Sequence, residues 1–136
     1  MKGDKLDGFG WLFAILGVGM LTNALWMLIG PMHWYHQLPA AVEDTGPFNP
    51  HFVRDIGCAF LTIGIALIVA ARSTAMRLPL AGFAAVFLAA HALLHVYDTA
   101  VGNLPSNHWY LDFAGVYLPA VVLAVAVARL PRVQET

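Results

Sequence analysis

The chain has 136 residues, 60% of them hydrophobic and only 11% charged, with a formal net charge of −1. A soluble domain of this length has no core large enough to hide that much apolar surface, so an ordinary soluble protein is excluded and lipid is the expected solvent. The single cysteine, Cys58, excludes an internal disulfide, and no basic cluster with interleaved aromatics suggests a nucleic-acid partner.

In chain order, four segments are apolar for the length that a helix needs to cross a bilayer, about 20 residues. The first, about 8 to 30, carries no charge. It is too long for the apolar stretch of a signal peptide and lacks a convincing cleavage pattern, so it is expected to be retained. Pro31 should end or kink it, leaving Pro31 to Pro39 as a short interfacial turn or helix. The second, about 50 to 71, opens on Asn49-Pro50, a capping side chain followed by proline at the first helical position. The third, about 78 to 98, is uncharged until its end but holds two histidines. The fourth, about 109 to 130, contains Pro119, which should kink it and free the carbonyl of Gly115. Trp34, Tyr35, Trp109 and Tyr110 suit an aromatic belt near the headgroups. The expectation is one all-α domain over residues 1–136, an integral membrane four-helix bundle.

Lys2, Lys5, Arg72, Arg77, Arg129 and Arg132 fall at the N-terminus, the loop after the second span or the C-terminus; only Arg54 falls at the other face. By the positive-inside rule both termini are cytoplasmic. All six histidines (33, 36, 51, 91, 95 and 108) then collect at the opposite side, with Glu43, Asp44, Asp55, Asp98 and Asp112.

Two triplets share one spacing. His91, His95 and Asp98 stand at i, i+4 and i+7, on one face of the third helix, and His51, Asp55 and Cys58 repeat the pattern on the second. His91 lies roughly 10 Å below Asp98 at about 1.5 Å rise per residue, a depth where ionisable groups face the bundle interior and take partners. Imidazole pairs one turn apart, with a carboxylate nearby, fit zinc, copper or iron; histidines on different spans also suit haem. The candidate metal ligands are His91, His95, Asp98, His51 and Asp55. The bland alternative is a polar network that only holds the helices, with Arg54 paired to Asp98 or Asp112 and Asp55 facing a helix dipole. Cys58 reads better as a packing residue, His33 and His36 as solvated interface groups, and His108 as a cap or a cover for the site. Asn23 suits interhelical bonding, and Gly10, Ala14, Gly17, Gly57 and Gly64 suit close packing.

The stretch Asn49-Pro50-His51-Phe52-Val53-Arg54-Asp55-Ile56-Gly57, leading into Ala59-Phe60-Leu61-Thr62-Ile63-Gly64, resembles small four-span bacterial membrane proteins of the DoxX-like kind. The resemblance covers the layout and part of the second span, and it implies a bacterial inner-membrane protein. His91, His95 and Asp98 are not part of it. Three functions stay open: a metal- or cofactor-binding membrane protein, a non-catalytic subunit of a homo-oligomer or larger complex, and a small-solute transporter.

Overall fold

The computed structural model describes residues 5–130, and these are helical without strands. Lys2 and Arg132, counted above among the basic residues, lie outside the described residues. Helix α1 spans Gly8–Ile29, α2 Pro31–Gln37, α3 Pro50–Arg72, α4 Thr74–Val101, α5 His108–Leu111 and α6 Leu118–Ala128. A 3-10 turn occupies Val42–Thr45 and a π turn Phe113–Tyr117. Three helices, α1, α3 and α4, are long and apolar enough to cross a membrane; Phe113–Ala128 is a shorter apolar segment.

The helix ends follow their local chemistry. Asn49 Oδ1 accepts from the backbone N–H groups of His51 and Phe52, both at 3.1 Å, so α3 begins at Pro50 as its capping pattern predicts. Gly30 and Pro31 end α1, and the chain re-enters a helix at once as α2. Only Ser73 separates α3 from α4, capping both: its N–H donates to Val69 and its hydroxyl accepts from Met76. Arg77, expected in a loop there, instead lies inside α4 and is buried.

Helix α1 packs along α3, α3 against α4, and α4 against α6. One continuous core joins them through Phe13, Leu67, Ala81, Ala84 and Leu123, all fully buried. The α1–α3 approach is close enough to require glycine at position 64, where a Cβ would stand 2.7 Å from Leu21 Cγ and 3.0 Å from the Leu21 nitrogen. Outward-facing Ile15, Ile29, Phe83, Val86, Leu93 and Val121 are each more than half exposed. Such an apolar exterior is unfavourable in water and suits lipid.

At the basic end of the bundle, Asp7 and Arg77 form a closed clasp. The Arg77 guanidinium donates to both Asp7 carboxylate oxygens, at 2.8 and 3.0 Å, and to the carbonyls of Ala70 and Ala71. Asp7 also caps α1 by accepting from Gly10 N–H at 2.7 Å. The Arg77 hydrogen bonds, helped by that of Gly10, hold the Asp7 carboxyl below the usual carboxylate range.

Candidate metal centre

The opposite end gathers the histidines. His95, two turns before the end of α4, directs Nδ1 to Asp112 Oδ2 at 2.8 Å. The same oxygen lies 3.2 Å from Nδ1 of His108, while His108 Nε2 meets Asp44 Oδ2 at 3.3 Å. His108 is fully buried and Asp112 is 1% exposed. One ligand atom from each of His95, His108 and Asp112 lies within 4.8 Å of the others.

Local structure explains how three segments meet there. Gly102, at φ 84°, ends α4 in the left-handed conformation, and Asp98 O accepts from the backbone N–H groups of Gly102, Asn103 and Leu104. This turn sends the chain back within six residues, so α5 opens beside the end of α4, with His108 and Asp112 one helical turn apart. Pro119 has no N–H to return to Gly115, and its ring crowds that carbonyl. The backbone responds by widening: Tyr117 N–H donates to Asp112 O and Leu118 N–H to Phe113 O, each five residues back. The expected kink is thus a π turn, a feature frequent at functional sites. The third segment is the 3-10 turn carrying Asp44. It is entered through Ala41 at φ 46° and left through Gly46 at φ 133°, and the Tyr35 hydroxyl pins it by donating to Gly46 O at 2.7 Å.

Of the five expected ligands, the structure brings only His95 into this group. His91 sits one turn deeper, its ring stacked on Phe87 and edge-on to Phe60, with its centroid 4.7 Å from that of His95. Asp98 accepts from the Asn103 side chain at 2.9 Å and serves the turn after α4. His51 and Asp55 pair with each other at 3.3 Å on the exposed start of α3. Cys58 is exposed. Arg54 pairs with neither Asp98 nor Asp112; its Nε donates to Leu28 O near the end of α1. His33 accepts from Trp26 Nε1, and His36 pairs with Glu43. Asn23 accepts from Trp34 Nε1 at 2.8 Å, tying α1 to α2.

His108 and Asp112 are the candidate ligands that the His91/His95 pattern obscured. Their signal was present: His108-x-x-x-Asp112 has the same i, i+4 spacing, at the mouth of the fourth apolar segment. Asp44 had no local signal, since 64 residues separate it from His108.

The arrangement holds two carboxylates against two imidazoles, and among the described residues no lysine or arginine pairs with Asp44 or Asp112. A neutral imidazole has one N–H, yet His108 lies against a carboxylate oxygen at each ring nitrogen, an arrangement that suits a bound cation. Two donors on a tetrahedral ion, each about 2.1 Å from it, stand about 3.4 Å apart. The separations of 2.8 and 3.2 Å fall about 0.6 and 0.2 Å short of that spacing, so an ion would require the His95 and Asp112 side chains to move slightly apart. Compared with protein-family models, curated proteins and solved structures, the chain gives no match.

Proposed function

We propose that this protein is a four-span bacterial inner-membrane protein, with both termini cytoplasmic, that binds one transition-metal ion through His95, His108 and Asp112 near its periplasmic face. The observation that carries the reading is the two-imidazole, one-carboxylate group, with His108 and Asp112 fully buried, His95 partly so, and a second carboxylate, Asp44, behind His108. A first-row divalent ion such as zinc or iron suits that donor set, and it would balance charge that no arginine or lysine among the described residues balances. Asp44 would act as the outer carboxylate that orients a ligating histidine. Haem fits less well, because Asp112 Oδ2 sits between the two imidazoles where the macrocycle would have to lie. The fourth span is the run from His108 to Ala128, which at about 1.5 Å per residue approaches the ~30 Å of hydrocarbon. The orientation is supported by Lys5, Arg72, Arg77 and Arg129 at the end opposite the histidines.

The test is metal content. The full chain, purified in detergent, loaded with zinc and desalted, is expected to keep one ion per chain by mass spectrometry, and H95A and H108A to lose it. A folded wild-type chain that retains no ion would sink the proposal. It would favour the second reading, a purely structural network, for which the observation is that His95, Asp112, His108 and Asp44 already bond to one another.

A further inference from the structure

Among the described residues, three buried side-chain polar atoms lack a hydrogen-bond partner: Thr99 Oγ1, Asn107 Oδ1 and the Tyr117 hydroxyl. Buried polar groups are nearly always paired, so each exception calls for a reason. Each lies within five residues of His95, His108 or Asp112 in the chain. Thr99 lies one turn beyond His95 on the same face of α4 and is 7% exposed. Asn107 precedes His108. Tyr117 follows Asp112 by five residues, which in an α-helix would turn it well away. The π turn, bonding Tyr117 N–H to Asp112 O, brings it back above Asp112. The Tyr117 and Thr99 hydroxyls stand close without completing a normal hydrogen bond to each other.

Resting on the metal-binding reading, we propose that the ion keeps an open coordination position for a small oxygen-donor ligand, water, hydroxide or a small anion in its place, held by the hydroxyls of Tyr117 and Thr99. Three protein ligands with a fourth position left to an exogenous group characterise a reactive metal site, whereas a purely structural zinc is closed by four protein ligands. Each hydroxyl has a proton to donate and lone pairs to accept, which suits a metal-bound oxygen in either protonation state. Polar contacts of this kind orient what binds to the ion without binding the ion themselves. The pair gives the π turn a purpose, since a regular helix would carry Tyr117 away from Asp112.

The test uses the full chain in detergent loaded with copper(II) as the spectroscopic probe and titrated with azide. Azide should perturb the metal's visible spectrum saturably in wild type. In Y117F and T99V, which remove one hydroxyl each and nearly preserve shape, azide should bind about five- to tenfold more weakly, the loss expected for one hydrogen bond, while copper affinity stays unchanged. Metal-free T99V should be at least as stable as wild type, because an unpaired buried hydroxyl is removed; a clear loss of stability would mean that the hydroxyl is a structural bond and would overturn the assignment. A copper spectrum indifferent to azide would also overturn it, as would equal azide affinity in wild type and both variants. Failure of the metal reading itself shows earlier, as absence of a copper spectrum before azide is added.

Discussion

The two ends of the bundle each bury charge, and they do so in opposite ways. At the basic end a carboxylate meets a guanidinium through two hydrogen bonds, and the remaining Arg77 donors find the carbonyls of Ala70 and Ala71. That network is complete as it stands. At the histidine end, among the described residues, two carboxylates share two imidazoles, no arginine or lysine joins them, and three buried polar atoms near them in the chain go unpaired. A satisfied network fixes structure, whereas carboxylates that meet only imidazoles, near unpaired buried polar atoms, are where binding is expected. The contrast separates a bolt from a site within one small fold.

The largest expected effect breaks the contrast directly. H108A should weaken metal binding by more than about 100-fold, since removing an orienting residue alone costs 10–100-fold, whereas H51A and D98N should leave metal content at the wild-type level. Loss in H51A and D98N with the metal kept in H108A would return the site to the ligand set read from the sequence. Saturating zinc should raise the thermal midpoint of wild type in detergent and leave that of H108A unmoved, because only a ligand that binds the folded state stabilises it.

At the basic end, R77A should lower the thermal midpoint by several degrees without changing metal content, as the clasp is lost and the carbonyls of Ala70 and Ala71 lose their donor. The clasp also has a pH signature. The Asp7 carboxyl is held below its ordinary value of 3.8, so its contribution is fully present above that value and disappears as pH falls through the lower, folded one. The stability gap between wild type and D7N should therefore be constant near neutrality and close only under strong acid. A gap that closes near pH 6 would assign the effect to a histidine instead.

The smallest effects concern packing. G10A would bring a Cβ to 2.9 Å from the Ala71 carbonyl oxygen, and a cost of about 1–3 kcal/mol is expected from forcing α1 off α3. G82A meets nothing within 4 Å and should be neutral or gain up to about 1 kcal/mol of helix propensity. Thermal unfolding in detergent reads both.

The amino-acid sequence by itself determined the helices and the sidedness of the chemistry. Apolar runs of sufficient length, Asn49-Pro50 and Pro31 are local signals, and hydrophobicity and capping act within a turn or two of the residues that carry them. It also marked His95, since spacing along one helix fixes which residues share a face. The tertiary structure alone decided which faces meet. His91 and His95 share a face, yet His91 fills an aromatic niche between Phe60 and Phe87 while His95 reaches Asp112 on the next segment. Asp98 was drawn into its own turn by Asn103, a competition that spacing does not register. Arg77 passed from loop cation to buried clasp because Asp7, 70 residues earlier, lies across the bundle from it. Asp44 and His108 met for the same reason: contacts between distant segments depend on how the chain folds back, and no local pattern encodes them. The histidine-rich end was therefore legible before the structure, and its candidate ligand set was not.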